Sequence, residues 1–211
     1  MLDVLGRDGY SVAPFGINDD APILEGDSDL GRQVDVVSAW GADSFYSRSV
    51  TDNENDQSIM EDYFKHLNNE TTSDGLNSGI YGELFSKRFI NAIHKTEFLR
   101  DVVPSNNELT QSYSGDLGSS LQMVSKLILS HEDRKSNRDT YFVQMGGFDT
   151  HSNVKGILDN EVSGRFQDIN KGIKAFYEEM KAANLMDSVT VVIGSEFGRV
   201  SSRGGVVGVR N

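Results

Sequence analysis

Large apolar residues recur at helical spacing in several parts of the chain. The clearest series lies within residues 162–183, at successive intervals of four, three, four, three and four: Val162, Phe166, Ile169, Ile173, Phe176 and Met180. Intervals of three and four return side chains to the same face of an α-helix, so this series predicts a helix with one apolar face. We expect Phe166, Ile173 and Phe176 to be buried on that face.

Two short apolar runs flank this helix and have the composition of β-strands. Residues 141–145 end at a glycine pair, and residues 189–193 end at Gly194. A strand, a helix and a second strand in this order form a right-handed crossover, so we predict adjacent or near-adjacent parallel strands. Ligands of open α/β sheets bind outside the carboxyl ends of the strands, which directs attention to the loops GGFDTH and GSEFGR.

The rest of the chain divides into an irregular part and a helical part. Residues 1–56 are rich in Gly, Asp, Asn and Ser, which predicts loops and a few short strands. Residues 57–135 contain helical patterns around 59–67, 80–93 and 117–129 that would cover a sheet. We therefore predict a single α/β domain over residues 1–211, with a strand-helix-strand unit over residues 141–199.

Composition and charge exclude several classes of protein. Thirty-two acidic residues against twenty basic ones give a formal net charge of -12, which disfavours nucleic acid as a partner. The chain has no cysteine, which excludes thiolate catalysis and cysteine-ligated metal centres. No apolar run approaches the roughly 20 residues that span a bilayer, and the first residues lack the pattern of a signal peptide. We expect a soluble protein, whose compartment and oligomeric state the sequence does not predict.

The loops that follow the two predicted strands carry candidate metal ligands. Asp149 and His151 are two positions apart after a glycine pair, so that a carboxylate and an imidazole can converge on Zn, Mn or a similar divalent ion. Glu196 can add a second carboxylate, and Arg199 can face an anionic substrate. Each motif alone also fits a structural role, as a helix cap at Asp149 or as an ion pair between Glu196 and Arg199.

Other candidate chemistry is weaker. His66, His94 and His131 lie in or beside predicted helices, without acidic neighbours at a metal-binding spacing, and we interpret them as surface or partly buried residues. The sequence contains no G-x-S-x-G elbow, no G-x-x-x-x-G-K-[ST] loop and no G-x-G-x-x-G fingerprint. These observations disfavour serine hydrolases, P-loop proteins and dinucleotide-binding enzymes.

Taken together, GGFDTH, the amphipathic helix and VVIGSEFGR resemble the family called domain of unknown function 1501, which is placed in the alkaline phosphatase and sulfatase superfamily. YSVAPFGI and DLGSSLQMVSKLIL are weaker echoes of the same family. The resemblance implies an alkaline-phosphatase-like, three-layer αβα sandwich around a largely parallel sheet, with divalent metal at the carboxyl ends of the strands. It also implies that Asp149, His151 and Glu196 are metal ligands and that Arg199 contacts the substrate.

Two parts of the family pattern are expected to lie outside this chain. Relatives begin with a strand and glycine-rich loop that would hold further ligands or a nucleophile, and they continue to an Asp-His-Gly motif. The resemblance thus implies the C-terminal part of a metal-dependent hydrolase-like domain, inactive on its own, whose substrate class is a phosphate or sulfate ester. The alternative is a non-catalytic relic or binding module of the same fold with an incomplete metal site. Relatives are often exported.

Overall fold

The computed structural model describes residues 11–25, 34–39, 79–103, 108–149, 154–158 and 164–195. Within these ranges the strands are β1 (Val12–Ile17), β2 (Asp35–Val37) and β3 (Arg138–Val143). The helices are α1 (Pro22–Glu25), α2 (Gly79–Val102), α3 (Gly115–Leu129), α4 (Val154–Leu158) and α5 (Arg165–Ala182), and a 3-10 turn follows at Met186–Ser188. The described part of the chain is therefore mixed α/β, as predicted.

The three strands form one parallel sheet in the order β2-β1-β3. β1 is the central strand, since Phe15 lies opposite Asp35 on β2 and opposite Tyr141 on β3. Parallel neighbours require long connections, and α3 forms part of the connection that leads into β3. The segment VAPFGI, from the part of the chain where only short strands were expected, is thus the centre of the sheet.

One face of the sheet packs against α3, and α5 packs on α3. Alternate residues of a strand share a face, so Phe15 and its register partner Tyr141 lie on the same side, where their rings stack 5.6 Å apart. Gly172 lets α5 approach α3 closely, because a Cβ atom there would lie 3.3 Å from a methyl group of Leu121. The buried cluster between sheet and helices contains Phe15, Ile17, Val37, Met123, Val124, Leu127, Phe176 and Met180.

The predicted helices at 80–93, 117–129 and 162–183 correspond to α2, α3 and α5, while the one at 59–67 lies outside the described residues. Burial along α5 is uneven. Phe176 is 4% exposed and Ile173 is half-buried, but Phe166 is 52% exposed. The prediction that Phe166 is buried is wrong, because its ring lies beside Phe148, in the loop that follows β3, rather than over the sheet.

The predicted strand at residues 189–193 is not a strand in the structure. Val189 has extended backbone angles, but within the described residues β3 is paired only with β1, and Val192 is 87% exposed. A groove of about 1050 Å³ is lined on one side by β3 and on another by residues 188–194. β-Branched residues favour strands when they pack on the pleated surface of a sheet. Here the groove separates residues 188–194 from β3 at the edge of the sheet.

Candidate functional site

A polar pocket of about 410 Å³ lies at the carboxyl ends of β1 and β3. It is lined by Asn18 after β1, by residues 144–147 after β3, by the first turns of α3 and by Arg165 at the start of α5. Open α/β proteins bind ligands at this edge of the sheet, and the volume suits a small molecule. The pocket is therefore the candidate functional site of the described region.

Asn18 holds the pocket wall next to β1. Its backbone has a positive φ of 67°, a conformation that asparagine tolerates better than most residues. The side-chain oxygen accepts a hydrogen bond from the backbone N–H of Ala39 at 2.7 Å, and the side-chain nitrogen donates to Oγ of Ser120 at 3.3 Å. One side chain thereby connects the end of β1 to the residues after β2 and to α3.

A glycine pair carries the chain from β3 past the pocket. Gly147 has a φ of 88°, and a Cβ atom at this position would lie 2.7 Å from two guanidinium nitrogens of Arg165. The space around Gly146 is open, since no atom lies within 4 Å of the equivalent Cβ position. Gly147 is thus the glycine that the backbone conformation requires, and a side chain there would also displace the end of the Arg165 side chain.

Arg165 supplies the positive charge of the pocket. Its Nη1 atom lies 3.9 Å from Oδ2 of Asp116 and 3.9 Å from Oδ2 of Asp168. Both distances are at the outer limit of an ion pair, and a third of the arginine side chain is exposed, so these pairs contribute little to stability. Two carboxylates therefore lie near the guanidinium without a short ion pair to it.

Two helices begin at the pocket. The residues that precede the first turns of α3 and α5 are Ser114 and Gly164, and neither makes a side-chain capping hydrogen bond. The first N–H groups of a helix have no partner within the helix, and the helix dipole adds partial positive charge there. These termini add to the electrostatic attraction that Arg165 offers to an anion.

Asp149 is the one predicted metal ligand that the structure describes. It lies two residues after Gly147 with an exposed side chain, and it does not line the pocket. His151, Glu196 and Arg199 lie outside the described residues, so their convergence with Asp149 stays a prediction. In the described ranges, no group of three or more acidic or histidine side chains is placed to hold a metal ion.

Of the three histidines outside this motif, His66 lies outside the described residues, and the other two agree with their interpretation as surface or partly buried residues. His94 is exposed on α2, and His131 is half-buried with Nδ1 2.8 Å from the backbone oxygen of Ile128. The polar residues that do line the pocket, including Asn18, Ser120 and Arg165, were not among the candidates drawn from the sequence. The location of Arg165 could have been inferred from the predicted crossover. Such a crossover places the first turn of its connecting helix at the carboxyl end of the sheet.

A second polar cluster lies at the opposite end of the sheet. Arg134 forms a buried ion pair with Asp139 of β3, and its guanidinium also donates to the backbone oxygen of Leu127 at 2.6 Å. Asp139 accepts further hydrogen bonds from Ser136 and from the Tyr141 hydroxyl, the latter at 2.8 Å. Burial, followed by the nearby Asp139 carboxylate, raises the pKa of Tyr141. The cluster joins the end of α3 to the start of β3 through several buried hydrogen bonds.

Buried polar contacts also hold the segment that leads into α3. Both carboxylate oxygens of Glu179 on α5 accept backbone hydrogen bonds, from Thr110 at 3.1 Å and from Gln111 at 2.7 Å. The Tyr113 hydroxyl shares a hydrogen bond of 2.7 Å with Ser125, and burial raises the pKa of Tyr113 to about 12. These contacts position the first turn of α3, and with it one wall of the pocket.

Comparison with known proteins gives one match. The family model DUF1501, described as a protein of unknown function, matches residues 99–208. Neither a curated protein nor a solved structure matches the chain. The matched range includes α3, β3 and α5 together with the loops at Asp149 and Glu196, whereas Asn18 and β1 precede it. No described helix is long and apolar enough to cross a membrane.

Proposed function

The chain belongs to the DUF1501 family of proteins of unknown function, and we propose that it is a metal-dependent hydrolase-like domain that acts on an anionic ester, of the phosphate or sulfate class. The proposal rests on the polar pocket at the carboxyl ends of β1 and β3, where Arg165 and two uncapped helix termini meet. In this proposal the small parallel sheet belongs to an alkaline-phosphatase-like αβα sandwich.

Arg165 is the proposed contact for the anionic group of the ester. A guanidinium presents parallel N–H donors that match two oxygens of a phosphate or sulfate, and helix N-termini add backbone donors to the same group. Its contacts with Asp116 and Asp168, both at 3.9 Å, are long enough to leave these donors available. We propose Arg199 as a second anion contact from the loop after residues 189–193.

We propose that Asp149, His151 and Glu196 hold a divalent metal, Zn or Mn, next to this pocket. Two carboxylates and an imidazole are a ligand set that both ions accept. The exposed position of Asp149, two residues beyond the pocket-lining Gly147, supports the placement. A bound ion would polarise the ester and lower the pKa of a bound water. The side chains of this chain would orient the ester beside it.

Metal binding by purified variants tests the ligand set. We expect His151→Ala to weaken Zn or Mn binding at least about tenfold in isothermal titration calorimetry, since the loss of a ligand removes one coordinate bond. His94→Ala is the matched control, because His94 is exposed on α2 and should leave binding unchanged. Equal metal binding by the wild type and the His151→Ala variant would contradict the proposed ligand set.

The alternative to the hydrolase-like domain is a non-catalytic binding module of the same fold. We expect this chain alone to release little or no phosphate or sulfate from simple esters, even with Zn or Mn supplied, so metal binding distinguishes the two. Zn or Mn binding that depends on His151 would favour the hydrolase-like domain, and lack of such binding would favour the binding module with an incomplete metal site. Robust metal-dependent turnover that His151→Ala leaves unchanged would contradict the proposed site. Circular dichroism of each variant would establish that a loss reflects the site rather than the fold.

A further inference from the structure

The polar pocket and the large groove beside β3 share part of their walls. Leu117 of α3 and Met145 after β3 line both, so the two spaces are neighbours. The pocket, of about 410 Å³, contains Arg165 and Asp116, while the groove, of about 1050 Å³, is lined chiefly by apolar residues, with polar and charged residues at 136–140. A ligand that lies across Leu117 and Met145 would therefore meet a charged region at one end and an apolar region at the other.

The groove presents apolar side chains from both the sheet and α5. Tyr141 and Val143 of β3 form one side, and Ile169 and Ile173 of α5 form another. Phe148 lies in the groove lining, 38% exposed, and its ring centroid is 6.4 Å from that of Phe166. Apolar surface of this extent beside a polar pocket is typical of sites that bind a ligand with an apolar part.

We propose that the natural ligand is an anionic amphiphile, whose charged group binds at Arg165 and whose apolar body lies in the groove against Phe148, Ile169 and Ile173. The inference rests on the proposed function, since it extends the anionic ester to one with a substantial apolar group. Charge complementarity favours this occupant, because the cation of the site lies at the end of the groove where Leu117 and Met145 join it to the pocket.

Paired ligands that differ only in their apolar part test the inference. Methyl phosphate and hexyl phosphate carry the same charged group, and burial of each additional methylene strengthens binding by about fourfold when it is fully desolvated. We expect hexyl phosphate to bind the wild-type chain at least about tenfold more tightly than methyl phosphate, in isothermal titration calorimetry. Arg165→Gln should weaken the binding of both ligands.

Variants of the groove locate the effect. Phe148→Ala and Ile169→Ala should each reduce the advantage of hexyl phosphate and leave methyl phosphate binding unchanged, while Phe98→Ala, an exposed phenylalanine on α2, should change neither. If methyl phosphate binds and hexyl phosphate binds no more tightly, the inference is overturned but the proposed anion site is supported. If neither phosphate binds, the proposed function fails with it.

Discussion

The two ends of the sheet each carry an arginine with aspartate neighbours, and the two arginines differ in their exposure and in their distances to those aspartates. At the amino end, the Arg134 side chain is only 4% exposed and its ion pair with Asp139 is joined by several hydrogen bonds. At the carboxyl end, Arg165 is 33% exposed and its carboxylate partners are 3.9 Å away. We call the amino end, where the arginine is buried in a short ion pair, the closed end. We call the carboxyl end, where the arginine is partly exposed and its partners are distant, the open end.

This difference separates a structural cluster from a binding site with the same residue types. A buried ion pair must recover a large desolvation cost, so it persists only when nearly every donor and acceptor has a partner. A partly exposed arginine with distant partners costs little to maintain and retains donors for a ligand. Residue identity alone therefore does not distinguish the two roles, whereas burial and the number of satisfied donors do.

Removing the acid at the closed end should give one of the two largest effects on stability. Asp139→Ala leaves the Arg134 guanidinium buried without its counter-ion, which we expect to lower the free energy of unfolding by about 3 to 5 kcal/mol in urea titrations. Asp101→Ala is the matched control, since its pair with Arg100, at 3.3 Å, is exposed on both sides and should matter by less than about 0.5 kcal/mol. A small effect at Asp139 would remove the contrast between the two ends.

Helix α5 reaches from one end to the other and allows the same comparison with apolar residues. Phe176→Ala, in the packed half of the helix, should cost about 3 to 5 kcal/mol through the cavity it creates. Phe166→Ala, in the exposed first turn, should cost less than about 1 kcal/mol. Chemical denaturation of the two variants side by side measures the difference, and equal losses would mean that both halves of α5 are packed alike.

Features that depend on interactions between nearby residues were predictable from the sequence, and features that depend on contacts between distant residues were not. Helices α3 and α5 were predicted because their apolar periodicity is local. The strand predicted over residues 141–145 from a run of β-forming residues is observed at Arg138–Val143, so it was predicted in part. The pairing of β1 with β3 was not, since it joins distant segments, and Asn18 and Ser120 meet although they are 102 positions apart. Apolar composition at residues 189–193 predicted a strand, but composition does not specify which neighbour completes the ladder.

At the open end, glycine substitutions should have an intermediate effect. Gly147→Ala places a methyl group against the Arg165 guanidinium in a backbone conformation unfavourable to alanine, with a cost of about 1 to 2 kcal/mol. The displaced guanidinium should also bind methyl phosphate more weakly. Gly146→Ala has open space and should show neither effect. Thermal unfolding and calorimetry provide the two measurements, and phosphate binding that is unaffected in Gly147→Ala would argue against Arg165 as the anion contact.

The smallest expected effect is a pH dependence in the packed region. Tyr113 has a folded-state pKa of about 12, raised by burial, whereas an unfolded tyrosine titrates near 10. The unfolded chain therefore loses this proton first, and stability should fall as the pH rises from about 10 through 12. Tyr113→Phe should remove the part of this decline that Tyr113 contributes. Identical slopes for wild type and variant in urea titrations would exclude a contribution from Tyr113.

The contacts of Asn18 with residues distant in sequence also indicate the order in which parts of the molecule fold. Its side chain bonds to Ala39 across 21 positions and to Ser120 across 102. Closing loops of this length costs chain entropy before any contact offsets it, so such contacts form slowly compared with the turns of a helix. We expect α3 and α5 to form and associate early and the pocket wall at Asn18 to form late. A folding intermediate that contains only the paired helices would thus be compact and unable to bind ligand.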